Sequence, residues 1–460
     1  MKRGADLMKF IRKYAILPLL LLMLSSCNGQ DAAQTEPQYR IQSGHDLSIL
    51  TTSDTHYLAQ ELRDLGPAFQ QFLAAGDGKQ LGYSKEMMEA LGYDIGIRKP
   101  DVVIISGDLS NNGEEASHKE LAGHLKRIEQ DTGTRIYVIP GNHDIQNPWA
   151  RSFRDKRQYA ADSVSAKAFS KIYGGFGYDE ALLRDEDSLS YLAAPSEELW
   201  LLMLDTAQYG DNKALGHPQL EGRFSDRTLE WIATCGAKAA AAGAQLVTVM
   251  HHSLLNHSEF IQEGFTVEDH VKVTDALMKN GVRTALSGHI HIQDISEYSH
   301  DGERIYDIAS SALSVFPHQY GLLTYSSARQ TLDYSTARLG MEQWAAATGN
   351  TDPNLLGFRA YSEANFRKRS ATRSYSRLAE DPAYASYTET ELKQMADVVG
   401  RLNENYFAGS ASTGNAAVTA AEGYRLWQDA PAGGMRSYVL KMASQQPKNN
   451  HELHVQLPQR

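Results

Sequence analysis

Residues 135–144 read RIYVIPGNHD, an apolar run that ends directly in an Asn, a His and an Asp. The run is short and rich in β-branched residues, which predicts a buried strand. A turn after this strand would account for Gly141 and Asn142. It gives no reason for His143 and Asp144, whose side chains suit catalysis or metal binding. The stretch therefore predicts a strand that delivers chemical groups at its carboxyl end.

Five further apolar runs end in the same way. In chain order they are LSIL before TTSDTH, DVVII before SGD, LWLLML before DT, LVTVM before HH, and TALS before GHIH. Helix-like stretches such as KELAGHLKRIEQ lie between them, so strands and helices alternate. This alternation predicts an α/β fold with a largely parallel central sheet. Because the carboxyl ends of parallel strands meet at one edge, we expect the polar residues to converge there.

Seven nitrogen or oxygen ligands stand at these strand ends. They are Asp54, His56, Asp108, Asn142, His251, His289 and His291. Asp54 and His56 are two residues apart, as are His289 and His291, so both members of a pair can reach one ion. A set without thiolates favours divalent Mn, Fe or Zn over a structural cysteine-bound zinc. Seven ligands are too many for one ion and suit two divalent ions that share a carboxylate.

The motifs DxH, GD, GNHD, a His after an apolar strand, and GHxH occur in this order. Together they resemble the calcineurin-like metallophosphoesterase superfamily over roughly residues 47–335. The resemblance implies a β-sandwich flanked by helices around a βαβαβ core, which refines the single parallel sheet. It implies one metal on Asp54, His56, Asp108 and His291, and a second on Asp108, Asn142, His251 and His289, with Asp108 bridging.

The same resemblance implies a reaction. A hydroxide that bridges the two metals would attack phosphorus, and His143, oriented by Asp144, would protonate the leaving oxygen or stabilise the transition state. The stretches SGDLSNNGE and GNHDIQNPWAR are closest to bacterial lipoprotein members that resemble cyclic nucleotide phosphodiesterases. Purple acid phosphatases are disfavoured, because they have Tyr in place of Asn111 and Gly in place of His56.

The expected substrate is therefore a cyclic nucleotide or another small phosphodiester. Two alternatives stay open. The same site could act on a phosphomonoester or nucleotide, or the scaffold could serve as a binding module without catalysis. None of the seven ligand positions, nor His143, is substituted, which favours an enzyme.

The N-terminus predicts export and a lipid anchor. Residues 1–27 have a basic head, an apolar stretch and then LSSC, which resembles the bacterial lipobox, with Cys27 as the lipidated residue. A plain signal peptide that happens to contain a Cys is the alternative. We expect residues 28–46 to be a polar linker and the protein to be anchored in the cell membrane, facing outside the cytoplasm. Cys235 is the only other Cys and is expected to be a small buried hydrophobe.

The net charge narrows the possible partners. The chain carries a formal charge of −11, and loss of residues 1–27 would remove five basic residues and one acidic residue and leave −15. Such a chain repels nucleic acid at long range, so no nucleic-acid partner is expected. A phosphoester would be attracted only locally, where two divalent ions outweigh Asp54 and Asp108.

The sequence predicts a catalytic domain at residues 47–341, a helical domain at 342–445 and a polar tail at 446–460. GLLTYSS and QTLDYSTARL predict an antiparallel hairpin near the end of the catalytic domain. In the helical domain, Thr388 to Glu391 fits a capping box. The basic and aromatic segment 149–195 either overhangs the site or forms a solvated helix face. His252 is expected to be structural.

The remaining histidines of interest are expected to be ordinary polar residues or, in one or two cases, substrate-pocket groups. They are His118, His124, His217, His257, His270 and His318. The oligomeric state has no signal in the sequence.

Overall fold

The computed structural model describes residues 39–458. The predicted signal peptide, its Cys27 and the first part of the predicted linker lie outside the described residues. No helix within residues 39–458 combines the length and the apolarity that a membrane span requires. From Tyr39 onward the chain forms one compact unit.

Fifteen strands are present within the described residues. In chain order they are β1 (Leu47–Thr52), β2 (Val102–Ser106), β3 (Arg135–Ile139), β4 (Arg151–Arg154), β5 (Arg157–Ala160), β6 (Leu183–Arg184), β7 (Tyr191–Ala193), β8 (Leu199–Leu204), β9 (Gln245–Met250), β10 (Thr284–Ser287), β11 (Asp294–His300), β12 (Glu303–Ala309), β13 (Gln319–Ser326), β14 (Thr331–Arg338) and β15 (Glu452–Gln456). The strands that precede the predicted site are β1, β2, β3, β9 and β10, and each occupies an apolar run of the sequence.

The strands form two mixed sheets and one hairpin. The order in the first sheet is β15-β14-β13-β1-β2-β3, and in the second β11-β12-β10-β9-β8-β7-β6; β4 and β5 pair only with each other. Parallel pairing joins β1, β2 and β3 in the first sheet and β8, β9, β10 and β12 in the second. The plain expectation of one parallel sheet is therefore wrong, and the predicted hairpin of β13 and β14 is confirmed.

The two sheets pack face to face, as the resemblance implied. One apolar core contains Ile49 of β1, Val103 of β2, Leu201 of β8 and Val249 of β9, which come from both sheets. Alternate residues of β8 point to the opposite face of the sheet. Leu202, for example, packs against residues of the flanking helices. Both faces of these strands are thus buried, which explains why their sequences are continuous apolar runs rather than alternating ones.

Fourteen α-helices lie within the described residues. They are α1 (Pro67–Ala75), α2 (Ser84–Arg98), α3 (Glu115–Thr132), α4 (Ala166–Ile172), α5 (Asn212–Leu215), α6 (Asp226–Ala242), α7 (His270–Lys279), α8 (Met341–Ala347), α9 (Pro353–Leu356), α10 (Phe358–Glu380), α11 (Glu389–Phe407), α12 (Ala411–Thr419), α13 (Glu422–Asp429) and α14 (Gly434–Ala443). Cys235 lies on α6 and is buried, as expected, and burial raises the pKa of its thiol to about 12.

Helices α8 to α14 form the C-terminal region. The predicted capping box begins α11 and is confirmed: the Thr388 side chain accepts from the Glu391 backbone, and the Glu391 carboxylate accepts from the Thr388 backbone. Trp427 of α13 is fully buried against α11 and donates its indole hydrogen to Met395 O at 2.8 Å. Met341 and Phe358 pack in the sandwich core instead, so the first of these helices belong physically to the sheets.

Two terminal predictions need correction. Residues 39–46 of the predicted linker pack on the second sheet, where Glu197 and Glu198 accept the backbone N–H groups of Ser43 and Gly44, each at 2.9 Å. The predicted polar tail contains β15, the edge strand of the first sheet. Its Val455 and Leu457 are buried in the sandwich core and Leu453 packs against it. These apolar residues alternate with polar ones, a strand signal that the prediction of a polar tail overlooked.

Candidate metal centre

The carboxyl ends of five parallel strands meet where the two sheets adjoin. Asp54 and His56 follow β1, Asp108 follows β2, and Asn142 follows β3. His251 follows β9, and His289 and His291 follow β10 of the other sheet. The sheets are joined at this point, because His251 Nδ1 donates to Ser106 O at 2.8 Å and the His289 backbone donates to Asp54 Oδ2 at 3.0 Å.

The seven predicted ligands form two groups. Asp54, His56, Asp108 and His291 lie together in one group, and Asp108, His251 and His289 in the other. Asn142 joins the second group, because its Oδ1 lies 3.2 Å from His251 Nε2. The structure therefore brings together all seven residues, with Asp108 common to both groups; that they hold metal stays a prediction.

In the first group, acceptor atoms converge. His56 Nε2 lies 3.2 Å from His291 Nε2, and His291 Nε2 lies 3.3 Å from Asp54 Oδ1. Asp108 Oδ2 lies 3.6 Å from His56 Nε2. Asp54 Oδ1 is buried and accepts no hydrogen bond among the described residues. Lone pairs directed at one another repel unless a cation or proton lies between them.

The second group has the same character. His251 uses Nδ1–H for Ser106 O, so its Nε2 faces Asp108 Oδ1 at 3.4 Å and the Asn142 amide oxygen. His289 Nε2 lies 3.2 Å from Gly264 O, which leaves the Nδ1 lone pair for a ligand. Both residues are buried. Carboxylate, imidazole and amide donors of this kind fit divalent first-row metals.

The charges in the centre are strongly coupled. Burial opposes ionisation of Asp108, but the His251 and His143 imidazoles prevail and hold the pKa of Asp108 well below its usual range. Burial likewise opposes protonation of His251, yet Asp108 raises the pKa of His251 to about 9. Burial opposes ionisation of Asp54 as well, but His291 lowers the pKa of Asp54. Both carboxylates are therefore anionic, and the His251 imidazolium supplies part of the positive charge that they need beside them.

The backbone at the centre is unusual. Asp54, His56, Asp108, His289 and His291 all have positive φ, between 41° and 67°. This left-handed conformation is uncommon outside glycine and is concentrated at functional sites. Five of the seven predicted ligands therefore have a strained backbone just after their strands. This conformation turns each side chain toward the common centre.

His143 stands beside the ligands and is half-buried. Its backbone N–H donates to Asp108 Oδ1 at 2.9 Å. Its Nδ1 lies 2.9 Å from Asn111 O and 3.0 Å from Asn112 Oδ1. A carbonyl oxygen can only accept, so Nδ1 carries a hydrogen and Nε2 is the atom available for chemistry.

Asp144 does not orient His143, and this prediction is wrong. Within residues 39–458 its carboxylate accepts from Leu109 N, from Ser110 N and Oγ, and from Gly141 N, at 2.8 to 3.0 Å. None of these bonds involves the His143 ring. Asp144 instead ties the loop after β2 to the loop after β3. Burial and Asp108 raise the pKa of Asp144 to about 7, whereas its four donors favour the ionised carboxylate.

Gly141 and Gly107 allow the two loops to approach so closely. A Cβ at Gly141 would overlap the Asp108 backbone and carboxylate and lie 2.8 Å from His251 Nε2. A Cβ at Gly107, whose φ is +92°, would overlap the His251 ring. The glycines of GD and GNHD therefore serve the packing of the ligands and not only the turns.

Other histidines resolve as neighbours rather than ligands. His252 has both ring nitrogens engaged, with Thr206 Oγ1 at 2.7 Å and Leu220 O at 3.0 Å, so its structural assignment fits. His257 is sandwiched between Asp294 at 2.8 Å and Asp307 at 3.0 Å. Burial disfavours its charge, but Asp307 and Asp294 raise the pKa of His257 to about 9. Sequence reasoning missed this buried charged cluster, because its members are not linked by any motif.

Two residues beside His143 were also missed. Asn112, in SGDLSNNGE, holds the His143 ring, and its place directly after the GD motif is the signal that could have found it. Lys79 is 11% exposed, and after burial its charge is the next cause that lowers the pKa of His56. No motif marks Lys79, since it lies in the irregular segment between α1 and α2.

Comparison with known proteins agrees with this geometry. The family model described as calcineurin-like phosphoesterase matches residues 47–293, and a model described as the C-terminal domain of cyclic nucleotide phosphodiesterase matches residues 340–449. The fold and the centre define a metal-dependent phosphoester hydrolase. The chain belongs to the calcineurin-like phosphoesterase family, and its C-terminal helical region is similar to the C-terminal domain of cyclic nucleotide phosphodiesterase.

Curated relatives are distant. A cAMP/cGMP dual specificity phosphodiesterase of Mycobacterium tuberculosis is 26% identical over 248 residues, which are 54% of this chain and 62% of that protein. A protein of Psychrobacter arcticus named "Probable cyclic nucleotide phosphodiesterase" is 23% identical over 52% of this chain and 72% of its own length. A solved dimetal phosphatase from Danio rerio has 11% identity and a TM-score of 0.43, over 63% of this chain and 95% of that chain.

Replacement of Asp144 by Asn tests its role as a tie between loops. An amide would set an NH2 group against two of the four donors, which we expect to lower the free energy of unfolding by about 1–3 kcal/mol or more. Thermal and denaturant unfolding measure this change. The exposed Asp131→Asn on α3 is the matched control and should leave stability unchanged. Native stability of Asp144→Asn would contradict the assignment.

Proposed function

We propose that this protein hydrolyses small phosphodiesters, cyclic nucleotides among them, with two divalent ions at the two ligand groups that share Asp108. Mn, Fe and Zn are the candidate ions, given the oxygen and nitrogen donors. The observation that carries the proposal is the convergence of buried ligand atoms, above all Asp54 Oδ1, which accepts no hydrogen bond within residues 39–458. The C-terminal match and the names of the relatives support a diester.

When bound, two such ions supply Lewis acidity toward the phosphate oxygens and activate water. The residues of the chain would position the two ions. Asp54, His56, Asp108 and His291 would hold one ion, and Asp108, Asn142, His251 and His289 the other. Since the ligands follow buried strands, they would hold the substrate phosphorus at a defined place, on the side of the cleft that His143 lines.

His143 is placed to manage the leaving group. Its Nδ1–H is held by Asn111 O and Asn112 Oδ1, so His143 can give up a proton from Nε2 only as the imidazolium. Burial lowers the pKa of His143, whereas the Asp108 carboxylate favours the imidazolium. A water that has given one proton to solvent is the nucleophile. As its oxygen bonds to phosphorus and the bond from phosphorus to the leaving oxygen breaks, Nε2–H gives its proton to the leaving oxygen, and the neutral ring then regains a proton from solvent. Without full transfer, the same N–H stabilises the negative charge that develops there.

A substrate panel on reconstituted protein tests the proposal. The metal-free protein is loaded with Mn, Fe, Zn or Co and assayed on a chromogenic diester, its monoester, 3′,5′-cyclic AMP and a glycerophosphodiester. We expect at least one metal to restore turnover of diesters over the monoester. Asp108→Ala should lose metal and activity together, because it removes the ligand common to both groups. A preference for the monoester, or full activity of Asp108→Ala at two ions per chain, would contradict the proposal.

His143→Ala separates proton transfer from metal binding. We expect it to keep its metal content while kcat falls about 10²–10⁴-fold, most for diesters with poor leaving groups. Metal analysis and kcat for leaving groups of different pKa measure this. His300→Ala, at the exposed end of β11, is the control and should behave as wild type. If His143→Ala lost metal, His143 would be a ligand rather than the proton donor.

We also propose that the protein is anchored through a lipid on Cys27, on the side of the membrane away from the cytoplasm. The LSSC stretch after a basic and apolar leader supports this. Replacement of Cys27 by Ser should release the protein into the soluble fraction, as measured by fractionation of the expressing cells. A Ser26→Ala variant is the neighbouring control. Continued association of Cys27→Ser with membranes would refute the anchor.

A further inference from the structure

A cleft of about 440 Å³ opens directly beside His143. Its lining includes His143 and Asn112 on the side of the metal centre, and Phe72 and Trp149 farther out. A group attached to the phosphate of a bound substrate would enter this cleft, because His143 faces the leaving oxygen.

The outer walls of the cleft are flat and aromatic. Trp149 is 41% exposed, one of the few large apolar side chains on the described surface that remain so open. Phe72 lies on α1, and its ring is fixed by Phe153 of β4 at a centroid distance of 4.9 Å. The Arg151 guanidinium lies 5.8 Å from the Phe72 ring centroid and adds a planar cation to the same wall.

These walls are tied to the catalytic residue. The Asn147 side chain donates to His143 O and accepts from the Trp149 backbone, each at 2.9 Å. Arg151 Nε in turn donates to Trp149 O at 2.7 Å. The backbone of Trp149 is therefore held at a fixed place relative to His143, although its side chain is exposed.

The opposite rim is fixed by the C-terminal region. Arg373 of α10 donates to Ala75 O at 2.9 Å and to Gly76 O, and Arg369 donates to Leu73 O. These carbonyls form the end of α1, which follows Phe72 directly. Hydrogen bonds thus hold the backbone beside both aromatic residues in place. A binding surface requires such support, whereas a solvated loop does not.

The chemistry of the walls selects a planar ring. A nucleobase can stack on Trp149 or on the plane of the Arg151 guanidinium, which itself lies over the Phe72 ring; such stacking tolerates any base. A glycerol headgroup has no flat face and would leave this aromatic surface uncovered. We propose that the cleft is a nucleobase subsite and that nucleoside phosphodiesters, rather than glycerophosphodiesters, are the substrate class. This inference rests on the proposed function and specifies its substrate.

Two substrates with the same cyclic phosphodiester test the subsite. One is 3′,5′-cyclic AMP, and the other is ribose 3′,5′-cyclic phosphate, which lacks the base. We expect kcat/KM of the metal-loaded enzyme to favour cyclic AMP by roughly tenfold to a hundredfold, the contribution of stacking one base. Trp149→Ala combined with Phe72→Ala should bring this ratio close to one, chiefly through KM. Tyr159→Ala, an aromatic that is 47% exposed on the same hairpin but does not line the cleft, should keep the wild-type ratio.

Thermal unfolding and metal content establish that the variants are folded and loaded. An unchanged ratio in a folded, loaded double variant would overturn the subsite and leave the phosphodiesterase proposal intact. If the wild type hydrolysed neither compound but cleaved the chromogenic diester, calorimetry with the two compounds would decide whether the cleft binds a base. Failure to cleave any diester would instead refute the proposed function. Binding of cyclic AMP that the double variant loses supports the subsite; equal binding by wild type and double variant refutes it.

Discussion

The molecule is organised around one electrostatic constraint: buried carboxylates and imidazoles direct their lone pairs at a common point around Asp108. Such an arrangement is unfavourable by itself and becomes favourable when positive charge occupies it. Two sheets are needed to build it, since Asp54, Asp108 and Asn142 come from one sheet and His251 and His289 from the other. The sandwich is therefore the means by which distant strand ends reach a single centre.

This arrangement strains the local backbone. Positive φ at a non-glycine residue costs on the order of 1–3 kcal/mol, and five ligand residues have it. The strain is held in place by the continuous apolar cores on both faces of the parallel strands. Only glycine fits at positions 141 and 107, because a Cβ on Gly141 or Gly107 would overlap the candidate ligands Asp108 and His251. Stability elsewhere in the fold thus maintains a centre that is locally unfavourable.

The part of the structure that the sequence predicted well is the pattern that recurs along the chain. Apolar runs that end in ligand-type residues located all seven candidate ligands, because strand ends converge whatever the details of the sheet. Sequence reasoning failed where position depends on tertiary packing. The partner of Asp144 could not be inferred from its neighbour His143, since the carboxylate points back to the β2 loop. The packed segment 39–46 carries too few inward apolar residues to show a period. The alternation of Leu453, Val455 and Leu457, by contrast, was a readable strand signal that the prediction of a polar tail overlooked. The cleft joins Phe72 and Trp149, which no local pattern connects.

The C-terminal helices are part of the scaffold of the centre. In GHIHI the residues alternate: His289 and His291 face the candidate metal centre, while Ile290 and Ile292 are buried in the core of the C-terminal helices, with Met395. Helix α11 therefore packs against the back of the loop that carries the two candidate ligands. The backbone of Gln293 also donates to Phe407 O at 3.1 Å, at the end of the same helix. Since α10 braces the far side of the aromatic cleft, the helical region contacts both the ligand loop and the substrate side of one site. A region so placed cannot be removed without changing the geometry of the centre, which gives a physical reason for its fusion to the catalytic sandwich.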